Sequence, residues 1–301
     1  MKKDAIKLTI FTPTYNRAEL LKRGYDALCR QTNKKFIWMI VDDGSTDNTA
    51  QTVEEWTGID KGFEIIYIKK ENGGLHTGYN VAIENANTEL LMCIDSDDYV
   101  TDDCVEKILD FWERNGSDDV AGIVALDAYT DGRIIGDKLP NQKKVNLIDL
   151  LTGKYPINNG DRTNIVRTEL YKKVAPMKSF PGEKNFNPHY MHLEISKDYD
   201  FLVMNEVVRY VEYQENGMSN SMYRQYYNSP NSFAATRILY LSFKNTSFKF
   251  KLKHSIHYVS SCILANKTKV MFKNTPKPGY CFLARPGGWL LSKIIKKKAV
   301  V

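Results

Sequence analysis

The 301-residue sequence has few cysteines, and none of the five stands in a Cys-x-x-Cys pair. An odd number of isolated thiols argues against a disulfide framework or a zinc cage. No uninterrupted run of about 18 apolar residues occurs, so we expect no membrane-spanning helix. The first residues include Asp4 and soon reach a polar motif, which argues against a secretory signal peptide. These absences together predict a cytoplasmic protein.

Acidic residues are missing from one end of the chain. Residues 216–301 contain 15 Lys and Arg and no Asp or Glu, whereas residues 1–215 carry 27 basic and 36 acidic side chains. The basic segment shows no signature of a nucleic-acid-binding motif, so we expect no nucleic acid partner. Its lysines alternate with aromatic and aliphatic residues, a mixture typical of contact with an anionic membrane surface. The alternative is a set of helices that pack on the rest of the protein with their lysines facing water.

The first 126 residues alternate short apolar runs with segments of helical spacing. The apolar runs lie at 7–11, 36–41, 63–68, 89–94 and 120–126, and the helical segments at 18–31, 46–57, 74–86 and 102–115. Runs that are apolar throughout are typical of strands covered on both faces. The order therefore predicts an α/β fold, a mostly parallel sheet with helices on both faces.

The remaining residues are less regular. Residues 127–160 are rich in Gly, Asn, Asp and Lys and predict an insertion or extended loop. A strand is predicted at 207–213, and helices are predicted around 231–243 and 254–265. We expect a first domain over residues 1–220, made of the halves 1–126 and 127–220, followed by a basic helical region over residues 221–301.

Polar motifs follow the first four predicted strands. They are TPTYNR (12–17), DDGSTDNT (42–49), KKENGGLHTGYN (69–80) and DSDD (95–98). An ordinary turn with a helix cap, such as Ser45 or Asn16, would account for any one of them. Ligands of open α/β sheets bind beyond the carboxyl ends of the strands. Four such ends on one edge therefore indicate a binding site.

Asp95 and Asp97 stand at the end of an apolar strand. In an extended chain, side chains two residues apart project to the same side. Two converging carboxylates raise each other's pKa unless a cation lies between them. Mg²⁺ or Mn²⁺, held by one or two carboxylates and completed by phosphate oxygens, would meet that need. The alternative is a solvated acidic turn in which Asp98 and Thr101 cap the following helix.

The GGLHTGYN segment combines small residues with a helix start. Gly73 and Gly74 would let backbone approach a ligand, and His76 and Asn80 lie four residues apart on one helical face. The helix N-terminus could face a phosphate or a sugar. A purely structural role for His76 is an equally good explanation.

The motifs TPTYNR, IVDDGSTDNT, ENGG followed by Asn80, and IDSDD, in this order and at these separations, resemble the nucleotide-sugar-binding half of glycosyltransferase family 2, which has the GT-A fold. The resemblance is strong over residues 5–126 and weaker to about residue 220. There, FPGEK and YVEYQENGMS resemble a subgroup that makes bacterial surface polysaccharides.

This resemblance implies a metal-dependent, inverting transferase with a nucleotide-diphosphate donor, commonly a UDP-sugar. The acceptor would be a glycan or a lipid-linked glycan, met in the cytoplasm at the inner face of the membrane. Residues 1–126 would then hold the donor and residues 127–220 the acceptor. A nucleotidyltransferase would instead show a Gly- and Arg-rich loop after its first strand, where TPTYNR has no Gly.

The resemblance also implies roles for individual residues. The candidate nucleotide-sugar site consists of Thr12, Pro13, Tyr15, Arg17, Asp42, Asp43, Asn72, Gly74, His76, Asn80, Asp95 and Ser96. Asp42 or Asp43 would hydrogen-bond the base. Asp95 and Asp97 match the family's DxD motif for Mn²⁺ or Mg²⁺. Leu75 departs from the family, because relatives of this subgroup often carry Lys at this position.

The catalytic base is a second departure. An inverting transfer needs a group that deprotonates the acceptor hydroxyl, and the resemblance implies that it lies near residues 187–194. His189 stands where Glu or Asp is expected, and its ordinary pKa of about 6.5 permits the role. Glu183 or Glu194 could serve instead, or acceptor chemistry could be impaired. We take Glu183 and His189 as the candidates, with a membrane-docked assembly protein that binds nucleotide sugars without turnover as the alternative function.

Overall fold

A computed structural model describes residues 6–214 and 221–299. The chain forms two compact units. The first unit holds the described residues 6–73, 77–176 and 191–212, and the second holds 74–76, 177–190, 213–214 and 221–299. The domain boundary predicted at residue 220 lies outside the described residues.

The described residues form nine strands and twelve helices. The strands are β1 (Leu8–Thr14), β2 (Phe36–Asp42), β3 (Glu64–Lys69), β4 (Leu90–Cys93), β5 (Tyr99–Val100), β6 (Val120–Tyr129), β7 (Lys144–Val145), β8 (Arg162–Arg167) and β9 (Asp200–Val211). The helices are α1 (Ala18–Cys29), α2 (Thr49–Thr57), α3 (Leu75–Asn85), α4 (Cys104–Asn115), α5 (Leu147–Thr152), α6 (Thr168–Val174), α7 (His189–Ile195), α8 (Met222–Asn228), α9 (Pro230–Ser242), α10 (Phe248–Leu264), α11 (Pro278–Leu283) and α12 (Arg285–Ala299).

The strands of the first unit form one sheet in the order β3-β2-β1-β4-β8-β6-β9-β5, with β7 also paired to β9. The four strands β3, β2, β1 and β4 are parallel, as predicted, and β6 is parallel to β9. Strand β8 runs antiparallel between β4 and β6, so the sheet as a whole is mixed. The amino end of β8 therefore lies at the same edge as the carboxyl ends of its neighbours.

Helices cover both faces of the sheet, and alternate residues of β1 pack against helices on opposite faces. Leu8 and Ile10 belong to a buried cluster that also contains residues of α1, α2 and α4. On the other face, Phe11 meets Tyr79 of α3 edge to face, with ring centroids 4.8 Å apart. Both faces being buried explains why these runs are apolar throughout.

The region 127–160 is more ordered than predicted. Strand β6 continues to Tyr129, and β7 and α5 lie within the expected loop. The Asn146 side chain accepts a hydrogen bond from the Ile148 backbone and caps α5, whose Leu147 and Leu150 are buried. Asp200 begins β9, where its carboxylate accepts a hydrogen bond from Asn146. Short elements of this kind give too little periodicity to be recognised from sequence.

The second unit contains the helices α8 to α12. Its buried core includes Leu241 of α9, Tyr258, Val259 and Cys262 of α10, and Cys281 of α11. The predicted helices around 231–243 and 254–265 correspond to α9 and α10. Within residues 6–214 and 221–299, no helix is long and apolar enough to cross a membrane.

Gly122 should be indispensable to the sheet. It has a φ of +147° at an irregularity of β6, and a Cβ there would lie 2.0 Å from the Ile165 carbonyl oxygen. Gly122→Ala should lower the free energy of unfolding by about 3 kcal/mol or more, because strained backbone and forced overlap each cost about 1–3 kcal/mol. Gly132→Ala is the matched control, since Gly132 has a φ of +87° but open space around its Cβ position. If urea denaturation showed the same loss of unfolding free energy in both variants, the prediction for Gly122 would be contradicted.

Candidate functional site

The acidic motif after β4 forms a tight turn at the carboxyl edge of the sheet. The Asp98 backbone N–H donates to the Asp95 carbonyl oxygen at 3.0 Å. The extended conformation assumed for Asp95 and Asp97 is therefore wrong, because this hydrogen bond closes the chain on itself. Half of the Asp95 side chain is exposed, whereas Asp97 is 16% exposed.

Arg209 of β9 is the cation that lies among these carboxylates. Its guanidinium donates a hydrogen bond to Asp127 of β6, lies 3.4 Å from Asp98, and is 4.0 Å from Asp95. Asp127 is fully buried, and it also accepts a hydrogen bond from the Thr163 hydroxyl at 2.6 Å. The sheet positions the pair, because Asp127 and Arg209 are register partners on the parallel strands β6 and β9.

A second guanidinium restrains the other end of the turn. Arg17, which directly precedes α1, lies 3.1 Å from Asp97 and donates to the Ser96 hydroxyl at 3.1 Å. Ser96 is buried. The cluster thus places four carboxylates, those of Asp95, Asp97, Asp98 and Asp127, against two guanidinium groups. With all six groups ionised, this cluster carries an excess of two negative charges, and with Asp98 protonated it carries an excess of one.

Burial and mutual repulsion disturb the titration of these acids. Burial raises the pKa of Asp98 to about 8, against the opposing charge of Arg209 and with a further contribution from Asp95. Burial also raises the pKa of Asp95, opposed by Arg209 and reinforced by Asp97. In both cases burial is the larger cause and repulsion between the carboxylates adds to it.

The residues present fit a divalent cation bound jointly with a ligand. The described residues contain no group of three or more His, Cys, Asp or Glu that could hold a metal alone. The Asp95 side chain is half-buried, and its carboxylate lies 4.0 Å from the Arg209 guanidinium. A hard cation held by one or two carboxylates takes its remaining ligands from water and substrate phosphates.

The loop after β1 is tied to the loop after β2. Asn16 has a φ of +51°, and its side-chain oxygen accepts a hydrogen bond from the Thr46 backbone at 2.8 Å. Thr12 is buried, and its hydroxyl accepts from the Trp38 indole N–H at 3.0 Å. Pro13 is also buried. Tyr15, in contrast, is 47% exposed and can face a ligand.

The two acids after β2 have different surroundings. Asp42 is fully buried, and its carboxylate accepts hydrogen bonds from the Ser45 backbone at 2.8 Å and the Tyr67 hydroxyl at 2.5 Å. Asp43 forms a salt bridge with Lys70 and accepts from the Gly73 backbone at 2.8 Å. Asp42 is fully buried and Asp43 is 7% exposed, so Asp43 is the more accessible of the two acids to a ligand.

The segment that begins α3 has mainly internal contacts. The Asn72 amide donates to the Asp43 carbonyl oxygen at 2.8 Å, and Asn80 lies half-buried on α3. In the second unit, Gly74 has a φ of +93°, and a Cβ there would lie 1.9 Å from the Lys184 carbonyl oxygen. The backbone that approaches Gly74 is therefore the protein's own. His76 is 1% exposed and lies 3.1 Å from the Ser179 hydroxyl, which favours the structural explanation.

Glu183 is a helix cap in the second unit. Its carboxylate accepts four hydrogen bonds at 2.7–2.8 Å, from the backbone and side chain of both Asn231 and Ser232 at the start of α9. These donors use the acceptor positions of both oxygens. The prediction of Glu183 as a catalytic base therefore needs correction, because the carboxylate satisfies the first turn of α9.

His189 begins α7 and is half-buried. Burial lowers the pKa of His189 to about 4. The imidazole is therefore neutral at pH 7. Glu194, the third residue considered, forms a salt bridge with Lys197 at 2.5 Å in the first unit.

Two members of the acidic cluster were missed from the sequence. Asp127 directly follows the apolar run of β6, and Arg209 is a lone charge within VVRYV. A charged side chain inside a buried strand needs a partner of opposite charge. Both residues could therefore have been recognised in the sequence as members of a buried ion pair. Their pairing could not be seen, because it depends on the parallel register of β6 and β9.

The profile described as Glycosyl transferase family 2 matches residues 9–174. The chain belongs to glycosyltransferase family 2. The match includes the loops after β1, β2 and β4, and it confirms the resemblance that the motifs carry.

Relatives within the family match a limited part of the chain. Glycosyltransferase GlyA of Streptococcus pneumoniae serotype 4 is 33% identical over 102 residues, which are 34% of this chain and 14% of GlyA. The poly(ribitol-phosphate) beta-N-acetylglucosaminyltransferase TarS of Staphylococcus aureus is 30% identical over 115 residues, which are 38% of this chain and 20% of TarS. The chain thus matches less than a quarter of the length of either relative.

Solved structures resemble nearly the whole chain. S. aureus TarS 1–349 in complex with UDP-GlcNAc has a TM-score of 0.65 at 17% identity, over 97% of this chain and 92% of that one. The mannosyltransferase PcManGT from Pyrobaculum calidifontis, in complex with GDP-Man and Mn²⁺, has a TM-score of 0.57 at 17% identity, over 98% and 83%. The α/β fold of GT-A glycosyltransferases, with a helical C-terminal region, is confirmed.

Arg209→Met should strongly destabilise the first unit. Removing the guanidinium leaves Asp127 and Asp98 buried without their cation, which typically costs about 3–5 kcal/mol. Urea denaturation measures the loss, and adding Asp127→Asn should restore part of it. Arg114→Met is the control, because the Arg114 side chain is 73% exposed in its pair with Asp110, and it should change the free energy of unfolding by about 0.5 kcal/mol or less. A loss of under about 1 kcal/mol for Arg209→Met would contradict the role assigned to Arg209.

Proposed function

We propose that this chain transfers a sugar from a nucleoside-diphosphate donor, a UDP-sugar, to a glycan or lipid-linked glycan acceptor in bacterial surface polysaccharide synthesis. The observation that carries the proposal is the negative excess at the carboxyl edge of the sheet. Four carboxylates meet two guanidinium groups there, on the edge where ligands of such sheets bind. A diphosphate is itself an anion, so its binding at this edge needs an additional cation.

Asp95 and Asp97 would hold that cation, Mn²⁺ or Mg²⁺. When bound, it would neutralise negative charge that develops on the departing diphosphate. The Mn²⁺ named with PcManGT supports the choice of ion. Arg17 and Arg209 hold the acidic turn in place through Asp97, Asp98 and Asp95.

The remaining donor contacts are assigned to residues of the loops after β1 and β2. Tyr15 is the exposed aromatic residue of the loop after β1 and offers a surface for the base. Asp43, fixed by Lys70 and the Gly73 backbone, is the acid we assign to the base or ribose. The buried residues Thr12 and Asp42 support these loops from below. The UDP-GlcNAc and UDP named with TarS structures support a uridine donor.

His189 is the better supported of the two candidate bases. An inverting transfer needs a proton acceptor for the attacking hydroxyl, and the lone pair of a neutral imidazole can serve. The low pKa of His189 keeps it neutral but makes it a weak base. Glu183 supports the segment 177–190, which leads into His189, by fixing it to α9.

We place the reaction in the cytoplasm, at the inner face of the membrane where a lipid-linked acceptor would be met. The 15 Lys and Arg of residues 216–301, with no carboxylate among them, support contact with an anionic surface.

Asp95→Asn and Asp97→Asn should remove metal-dependent donor binding. Each variant deletes one negative charge from the proposed cation site, so UDP-sugar turnover should fall by about 100-fold or more, as expected for lost electrostatic stabilisation. Calorimetric titration with UDP, in Mn²⁺ and in EDTA, measures binding separately from turnover. Asp110→Asn is the matched control, because Asp110 is 52% exposed on α4. Metal-dependent UDP binding of wild-type strength in both site variants would refute the proposal.

Glu183→Gln tests whether Glu183 is the cap of α9 or the catalytic base. The substitution removes the negative charge and two acceptor positions of the cap. It should therefore lower the free energy of unfolding by about 1–2 kcal/mol. Turnover at saturating substrate should stay within a few fold of wild type below the unfolding transition. Removing a general base costs about 100-fold or more, and that is the result we expect for His189→Gln with unchanged donor affinity. A 100-fold loss in Glu183→Gln with unchanged stability would reverse the assignment.

A further inference from the structure

The last two helices of the second unit have two apolar stripes instead of one. The inner stripe is buried. Its members are Cys281 of α11, Ala284 between the two helices, and Gly288, Ser292 and Ile295 of α12. The three residues of α12 are three or four positions apart, so they lie on one face of that helix, and Gly288 lets α12 approach Val259 of α10. This stripe accounts for the packing of α11 and α12 within their unit.

The outer stripe is exposed. Its members are Phe282 at 64% exposure, Leu283 at 62%, Trp289 at 57%, Leu290 at 55% and Ile294 at 37%. Phe282 and Leu283 end α11, whereas Trp289, Leu290 and Ile294 lie on α12, where Ile294 follows Leu290 by four residues. An interval of four residues brings Leu290 and Ile294 to the same side of α12 after about one turn. We call these five residues the outer patch.

Folding of the second unit does not explain the outer patch. A single exposed apolar side chain is normal, but a cluster of large ones marks an interaction surface. Five such residues lie within 13 positions of the chain. These five residues stay exposed although α12 packs against its own unit through another face.

The charges around the outer patch have one sign. The described residues of the second unit carry 17 Lys and Arg and one carboxylate, Glu183, which is buried at the start of α9. Lys293, Lys296 and Lys297 are exposed on α12 beside the patch. The Lys293 ammonium lies 5.5 Å from the centre of the Trp289 ring. Whatever covers the patch must therefore be apolar at its centre and anionic around it.

We propose that the outer patch and the lysines beside it are a docking face for the surface of an anionic lipid bilayer. Trp, Phe and Leu bury in the boundary between headgroups and acyl chains, while lysines extend their ammonium groups to anionic headgroups. A protein interface would have a rim with charges of both signs or neutral polar groups. The absence of exposed carboxylates on the described part of this unit favours the lipid surface.

This inference requires no step of the sugar transfer. Vesicle binding is measured without donor, acceptor or divalent metal, so it can fail or succeed independently of the proposed transferase activity.

Trp289 provides a direct optical test. The other three tryptophans, Trp38, Trp56 and Trp112, are buried at 1%, 8% and 6% exposure, so a change in fluorescence on binding reports Trp289. The full chain is titrated in EDTA with vesicles of phosphatidylcholine alone or mixed with phosphatidylglycerol. With the anionic vesicles we expect a blue shift of the Trp289 emission and quenching by brominated acyl chains. With the neutral vesicles we expect neither. Trp289→Phe should remove both signals while the protein still floats with the vesicles.

Charge-matched variants locate the face. Lys293, Lys296 and Lys297 are changed together to Gln in one variant, and the exposed Lys138, Lys143 and Lys173 of the first unit in the other. The two variants have equal net charge. The first should lower vesicle partitioning on the order of 100-fold, since each lysine near the surface is worth roughly a fivefold change, and the second should change it little. Leu290→Ser with Phe282→Ser should lower partitioning at least about tenfold by removing buried apolar area.

Four results would overturn the proposal. The first is an absence of blue shift with anionic vesicles, and the second is equal loss in the two lysine variants. The third is a Trp289 shift that depends on protein concentration without vesicles, together with a dimer in sedimentation equilibrium, which would assign the patch to a second copy of the chain. The fourth is binding of single-stranded RNA in place of vesicles, which would assign the face to nucleic acid.

Discussion

Charge imbalance at one edge of the sheet is the constraint on which the site depends. Four carboxylates lie within reach of two guanidinium groups, and one of the acids is fully buried. Arg209 makes the arrangement stable by contacting three of the four. It leaves a negative excess that a bound dication can offset. A cluster with equal charges would be a structural ion-pair network and would attract no cation.

The sheet brings this cluster together from distant parts of the chain. The turn after β4 supplies Asp95, and strands β6 and β9 supply Asp127 and Arg209. The reversed β8 between β4 and β6 allows the carboxyl ends of these strands to meet at one edge. The loop before α1 adds Arg17. The second unit has another kind of chemistry, with basic and apolar side chains exposed on α11 and α12. Sugar transfer and surface docking therefore depend on separate sets of residues.

The sequence predicted the parallel half of the sheet, because runs such as FIWMIV are apolar throughout and alternate with helical segments. It also indicated the polar strand ends, since Asp95 follows a buried strand directly. It misassigned Glu183, because an acid that caps a distant helix cannot be distinguished from a reactive one by its neighbours in sequence. It missed Arg209 and Asp127, whose contact depends on strand register. Sequence patterns thus did not predict contacts that depend on the pairing of strands distant in the chain.

The most direct test of the central claim is a titration of the wild-type chain with Mn²⁺, followed by electron paramagnetic resonance, with and without UDP. Protein carboxylates supply only part of the coordination sphere, so the account predicts weak Mn²⁺ binding alone and much tighter binding when UDP is present. By linkage, Mn²⁺ should raise the affinity for UDP by the same factor. Equal UDP affinity in Mn²⁺ and in EDTA would contradict the claim that the acidic edge binds a diphosphate through a metal ion.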